Sequence, residues 1–344
     1  MLNNKAADIV DRTSTSSVGK AQLVLEDGSL NYEQVKTPDA LKDLELEGGA
    51  LRAGGAPNVY SKEHIGLLVH YFGSGLIYSI FYSIVYPFLN NYLRMSGVAT
   101  SSATVLMALP YTLKVFFGLI SDCYPIFGYR RRPYMLIGWV VCTVCCFIMA
   151  VSPIGDPYYP DPSLVYVDPT TLSPEVLATF NTDAPSSGTK FVLLLIIANL
   201  GIVLAFTAVN GTLVELSQRE PESVRGTAQT LIWVWRDYGG MIANALVGFG
   251  LNTPEFGGSF SGSIGVHGLM WICTVVSVLT SLSAWYNVTE EKSPGLSLRA
   301  EASKLFDLMQ YKVVIYVMIF QLFKNMFAYV SVTAAYPIQS VWAK

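Results

Sequence analysis

Five ionisable residues stand inside, or at the ends of, stretches that are otherwise apolar: Lys114, Glu215, Arg236, Asp237 and Lys324. A charge at the centre of a bilayer costs at least a few kcal/mol, so such residues face a bundle interior or an aqueous cavity. With a rise of about 1.5 Å per residue, Arg236, ten residues into its apolar run, lies about 15 Å deep. Lys114 lies about 12 Å before Asp122, and Lys324 about 18 Å beyond Lys312, on the same scale. Three basic side chains near one depth suit an anionic ligand. Asp237, and after it Glu215, supply carboxylates that accept paired N–H groups in bidentate fashion. Trp233, Trp235 and Tyr238 flank the Arg236–Asp237 pair and offer faces for stacking. A plainer reading stands beside this one. Arg236 and Asp237 point about 100° apart on a helix, so each can simply neutralise a partner on another helix. Trp233 and Trp235 cannot share a helix face, and packing explains either. His70 is a proton carrier or, more plainly, an interhelical hydrogen bonder.

The elements that must position these residues are apolar runs long enough to cross about 30 Å of hydrocarbon. Seven follow one another: His64–Leu89, Ala99–Ser121, Tyr134–Val151, Phe191–Leu213, Gly226–Leu251, Gly268–Tyr286 and Val313–Ala335. The fourth, FVLLLIIANLGIVLAFTAVNGTL, has no Asp, Glu, Lys, Arg or His. Composition agrees: 52% of residues are hydrophobic and 14% charged, against about a quarter charged in ordinary globular domains. The chain therefore reads as an all-α, polytopic membrane protein. Its net charge of −3 is spread along the chain and points to no nucleic-acid partner. Residues 1–62 are polar and rich in Ser, Gly and mixed charge, which predicts a disordered tail. Its acidic residues argue against an organellar transit peptide, and nothing there has the form of a cleavable signal. Cys142-x-x-Cys145 invites a metal or redox reading. It lies mid-span with no carboxylate or His nearby, so packing is preferred and neither a metal nor a cofactor is expected.

Basic residues collect in alternate loops: Arg130, Arg131 and Arg132, then Arg219 and Arg225, then Lys292, Arg299, Lys304 and Lys312. The opposite side has only Arg94 and Lys190, and the long loop 152–189 is acidic and Pro-rich. The positive-inside bias then puts the N-terminus in the cytoplasm, in a plasma or internal membrane. Two sequons, Asn210-Gly-Thr and Asn287-Val-Thr, fall in the membrane or on the cytoplasmic side and read as chance matches. Spans three and six have no ionisable acid, base or His, whereas one, two, four and five carry His70, Lys114, Asn199 with Asn210, and Arg236 with Asp237. The second group should line a cavity and the first should face lipid. That arrangement resembles one six-helix half of a major facilitator transporter.

The loop after span two sharpens the resemblance. Gly118-Leu-Ile-Ser-Asp122 followed by Gly128-Tyr-Arg130-Arg131-Arg132 is similar to the facilitator loop signature, with three extra residues between Asp and Gly. With that insertion, the stretch from Lys114 through Pro125, Ile126 and Gly128 to Pro133-Tyr134 resembles the folate–biopterin transporter family. Leu213-Val-Glu215, Gly226-Thr-Ala-Gln229 and Tyr336-x-Ile-Gln339-x-x-Trp342 extend the resemblance from about His64 to Lys344. It implies a major-facilitator-type bundle: a six-helix half over 63–287, a cytoplasmic linker over 288–312, and the first span of an incomplete second half over 313–344. Family members have about twelve spans, so a truncated chain is expected.

The resemblance also implies a secondary transporter moving a folate- or biopterin-like solute by alternating access, with proton coupling. The anionic carboxylates of such a solute would meet Lys114, Arg236 or Lys324. Its pterin edge would meet Asp237 or Glu215, and its flat ring Trp233 or Trp235. Gly118, Asp122, Gly128 and Arg130–Arg132 would form a cytoplasmic gate, joined by Arg225. A topogenic role alone is the alternative for the arginines. No G-x-x-x-x-G-K-[ST] motif is present, so direct ATP drive is not expected. No His cluster or nucleophile–base pair suggests an enzyme. The rival readings are a non-transporting fragment or membrane scaffold, and a facilitator for another organic anion, an amino acid or a nucleoside-like solute.

Overall fold

The computed structural model describes residues 23–26, 29–32, 47–52, 54–167 and 169–328. The end of the seventh predicted span and the Tyr336–Trp342 motif lie outside the described residues, as does most of the predicted tail. The chain divides into two units, Met1–Pro57 with Val214–Gln229, and Asn58–Leu213 with Thr230–Lys344. Its long helices are α1 (Ile65–Tyr92), α2 (Gly97–Cys123), α3 (Arg132–Val151), α4 (Ala184–Ser217) and α6 (Gly265–Tyr286), each long and apolar enough to cross a membrane. The 24-residue α5 (Thr227–Gly250) corresponds to the fifth predicted span but falls short in hydropathy, because Arg236, Asp237 and Asn244 interrupt it. Beyond them, α7 (Leu298–Met309) and α8 (Lys312–Ala328) meet at a 79° bend and together make a sixth candidate span. The architecture is an all-α membrane bundle, and the first unit holds a small antiparallel hairpin. That hairpin pairs β1 (Leu23–Glu26) with β2 (Ser29–Tyr32).

Without water to expel, helices in lipid associate by close packing, which small residues permit. Two crossings in the second unit show this. A Cβ on Gly75 of α1 would overlap the backbone carbonyl of Arg236, and one on Gly239 of α5 would overlap that of Phe72. Likewise Gly138 of α3 and Gly201 of α4 each sit against the other's carbonyl. These contacts bring α1 to α5, and α3 to α4, at backbone distance. The core between them is built from Ile77, Ile80, Phe81 and Phe88 of α1, Trp139, Cys142 and Cys146 of α3, and Ile202, Ala205, Met270 and Cys273. All five cysteines are free thiols and buried; those of α3 and α6 act here as small apolar fillers.

Helices α3 and α6 pack on one another. Thr143 Oγ1 and Ser277 Oγ lie 2.9 Å apart, and Phe147 meets Trp271 edge-on at 5.6 Å between ring centres. Their outer faces expose Ile137, Val144, Val275 and Leu279, as a lipid-facing pair requires. Prolines shape the other helices. Pro87 lies where α1 widens to a π turn over Val85–Tyr92, and Leu93 N–H reaches back to the Phe88 carbonyl at 3.0 Å. Pro110 lies where α2 tightens to a 3-10 turn over Leu109–Leu113, since proline supplies no N–H for the helical ladder. Asn199 of α4 donates to the Met107 carbonyl beside that break. Lys114 is the first residue of regular helix after it.

At the end of the bundle opposite Asp122, the loops pack together. Asn91 Nδ2 donates to the Phe256 carbonyl at 2.7 Å, His267 Nε2 lies 2.8 Å from the Ser152 carbonyl, and Tyr158 N–H donates to Tyr92 O at 3.0 Å. Within loop 152–189, Tyr158, Tyr159 and Phe180 form an aromatic knot, and Arg94 stands over the Tyr159 ring.

In the first unit, the N–H groups of Leu51 and Arg52 both donate to the Gln218 carbonyl, at 2.8 and 2.9 Å. The carboxylate of Glu220, only 2% exposed, accepts from Gly226 N at 2.6 Å and Ala228 N at 2.7 Å. It thereby satisfies donors at the start of α5 that have no helical partner.

Candidate functional site

The four helices expected to line a cavity converge on one cluster. From α1 come Tyr71, Tyr78 and Tyr82, from α2 Tyr111 and Lys114, from α4 Phe206 and Asn210, and from α5 Trp233 and Arg236. Positions 71, 78 and 82 fall on one helix face by the 3.6-residue repeat, and 233 and 236 share another. Lys114 Nζ sits 4.4 Å from the centre of the Tyr111 ring and 5.1 Å from that of Phe206. The Arg236 guanidinium sits 5.6 Å from the same Phe206 ring, 5.6 Å from Tyr78 and 5.3 Å from Trp233. Two cations from different helices thus share one aromatic ring.

Further rings complete the wall. Phe206 meets Tyr71 at 5.2 Å and Trp233 at 5.9 Å, Tyr78 lies 4.5 Å from Tyr82 and 5.5 Å from Tyr111, and the Tyr71 hydroxyl donates to Asn210 Oδ1. A cation over an aromatic face gains about 0.5–2 kcal/mol, more as water is removed. This offsets part of the cost of burying Lys114 and Arg236, while leaving both charges able to receive an anion. Asp237 Oδ1 lies 3.9 Å from Arg236 Nη1, and the Asp237 side chain is 76% exposed. The pair is therefore not a closed internal salt bridge.

Not every residue singled out from the sequence joins this cluster. Trp235 faces away and packs on Phe72 and Tyr238. Lys324 stands exposed on α8. Glu215 has Arg52 at 3.8 Å as an ion-pair partner within the first unit, and Arg225 Nη2 donates to the Gly49 carbonyl there at 2.6 Å. His70 accepts the Trp139 indole N–H at Nδ1, 2.8 Å away. Its proton is therefore on Nε2, and it ties α1 to α3. Asn210 was named from the sequence as a polar residue of a lining span, whereas Tyr71, Tyr78, Tyr82, Tyr111 and Phe206 were missed; the spacing of the three α1 tyrosines was the available signal. Among the described residues, no three His, Cys, Asp or Glu side chains are placed to hold a metal.

A second constellation surrounds the α2–α3 turn. Arg131, nearly buried, reaches Asp122 at 3.4 Å. A side chain on Gly211 of α4 would overlap its guanidinium, so that glycine makes the room. Arg132 lies over the Tyr129 and Trp285 rings and donates to the Trp285 carbonyl. Ile126 and Tyr129 exchange two backbone hydrogen bonds of 3.0 Å across Phe127 and Gly128, with φ of 54° and 83°. That is a two-residue turn needing positive φ at both central positions, which accounts for Gly128 in the loop signature. Gly118 sits against Thr207 of α4 at ordinary contact distance.

A bundle of long apolar helices that holds cations against aromatic rings defines a multi-pass membrane protein. Residues 74–158 match the model of the BT1 family. The chain is 24% identical to the Probable folate-biopterin transporter 4 of Arabidopsis thaliana over 183 residues, 53% of this chain and 31% of that one. It is 28% identical to the Folate-biopterin transporter of Synechocystis sp. over 185 residues, 54% of this chain and 31% of that one. Over 60 residues, 17% of this chain and 12% of that one, it is 38% identical to Folate transporter 1 of Plasmodium falciparum. These matches support the resemblance to the folate–biopterin transporter family that the span-two loop indicated. The chain spans about a third of the length of the first two relatives. No solved structure matches it.

Proposed function

We propose that this chain serves a secondary transporter that moves a folate- or pterin-like solute by alternating access. The observation that carries the reading is the convergence of Lys114 and Arg236 on the Phe206 ring, inside a wall of tyrosine and tryptophan. Such a wall suits a solute that is flat and aromatic at one end and anionic at the other. Rings stack on the aromatic residues, and carboxylates take charge-assisted hydrogen bonds from the two cations. Asp237, beside Arg236 and exposed, is the carboxylate suited to accept the pterin N–H edge or to exchange a proton during the cycle. The names of the relatives support the solute class. The Asp122–Arg131 pair serves as a gate, and the Lys/Arg asymmetry of the loops supports a cytoplasmic N-terminus. On this reading 63–287 is one six-helix half and 288–312 the linker after it.

The test is uptake of radiolabelled folate by the purified full-length protein in liposomes, with and without an imposed pH gradient. Saturable uptake that excess folate and biopterin compete away, that the gradient accelerates and that Arg236→Gln abolishes is expected. Uptake of equal rate in Arg236→Gln, or no uptake that folate saturates, overturns the reading.

A further inference from the structure

The turn that carries Asp122 and the arginine run is held by a residue more than 150 positions away in sequence. Glu290, in the segment after α6, turns its carboxylate onto the start of α3. Its Oε1 accepts the backbone N–H groups of Arg130 at 2.8 Å and Arg131 at 2.9 Å, and its Oε2 those of Arg131 at 3.2 Å and Arg132 at 2.9 Å. A carboxylate there also meets the positive end of the α3 dipole. The segment continues across the turn. Ser293 N–H donates to the Gly128 carbonyl at 2.9 Å, Lys292 stands over the Tyr129 ring, and a Cβ on Gly295 would come within 2.8 Å of the Cys123 carbonyl. Cys123, at the end of α2, is left 5% exposed beneath it.

We infer that Glu290 is the positioning residue of the Asp122–Arg131 pair: it latches residues 285–295 over the α2–α3 turn, and its release uncovers that end of the bundle. The three N–H groups it binds are those of the arginine run itself, so their loss frees the backbone from which Arg131 reaches Asp122. The inference concerns conformation and holds whatever the solute is.

The test uses the purified protein in detergent, with no solute added, and reads the rate at which a maleimide labels Cys123. Cys123→Ser identifies the signal against the other four buried thiols. Glu290→Gln keeps the shape but loses the charge-assisted hydrogen bonds, each worth enough to shift an equilibrium by about ten- to a hundredfold. Labelling should accelerate by that factor. Asp122→Asn should accelerate it alone but add little in the Glu290→Gln background, because the two act on one element. Gly295→Val, which forces the segment away while leaving Glu290 intact, should also uncover Cys123 and serves if Glu290→Gln does not fold. Wild-type labelling in folded Glu290→Gln, wild-type labelling in Gly295→Val, or independent multiplication of the Asp122 and Glu290 effects overturns the inference.

Discussion

Replacing Phe206 with leucine should destabilise the bundle more than the lost volume explains. The Phe206 ring faces Lys114 at 5.1 Å and Arg236 at 5.6 Å, and packs on Tyr71 at 5.2 Å and Trp233 at 5.9 Å. Each cation–ring contact is worth about 0.5–2 kcal/mol and each ring pair about 0.5–1.5 kcal/mol. Leucine restores most of the apolar area but neither kind of contact. The total loss is then about 2–7 kcal/mol. With about 2–4 °C per kcal/mol for a chain of this order of size, the melting temperature should fall by about 5 °C or more. The assay is thermal unfolding of the purified protein in one detergent at one scan rate, since unfolding of such a protein is governed kinetically. Phe147→Leu is the control. That ring also meets a tryptophan edge-on, at 5.6 Å, but faces no cation among the described residues. If Phe206→Leu costs no more than Phe147→Leu, the shared aromatic ring is not what accommodates the two charges.

Gly75→Val should melt far below wild type, because any Cβ there meets the Arg236 carbonyl, whereas Gly248→Ala should be nearly silent because nothing lies within 4 Å of it; equal thermal shifts would refute the close α1–α5 crossing. Glu220→Ala should cost about 1–3 kcal/mol by orphaning the Gly226 and Ala228 N–H groups, seen as faster hydrogen exchange at the start of α5, and unchanged exchange would refute the cap. A tag inserted in loop 152–189 should be reachable from outside the cytoplasm and tags near Arg131 or Lys292 should not, with equal labelling of the two sets refuting the orientation.

The helices were legible because an apolar run of spanning length has few alternatives, and the grouping of spans one, two, four and five was expected from where charge was tolerated; their side chains meet around Phe206. Lys114, Arg236 and Trp233 meet as the helix period allows. The period alone could not say whether Trp233 or Trp235 faced inward, since that depends on how α5 is rotated against Gly75. The Arg52 partner of Glu215 was not foreseen because it lies in a polar tail without periodic pattern. Glu290 escaped notice because its hydrogen bonds go to backbone N–H groups in a loop distant in sequence, and backbone donors leave no trace in residue type. Gly211 was read as part of a sequon, although its lack of a side chain is what admits Arg131.

The most direct test of the central claim is the affinity of Lys114→Ala for folate and for biopterin, measured side by side on the purified protein. Lys114 is held over the Tyr111 and Phe206 rings and has no carboxylate partner among the described residues, so on the proposed reading its charge meets the anionic solute. Loss of one charge-assisted hydrogen bond is worth about 1.5–3 kcal/mol. Folate, which carries carboxylates, should bind about ten- to a hundredfold more weakly, while biopterin, which carries none, should bind almost as before. An equal loss for both ligands, or none for either, would remove Lys114 from the site and contradict the account.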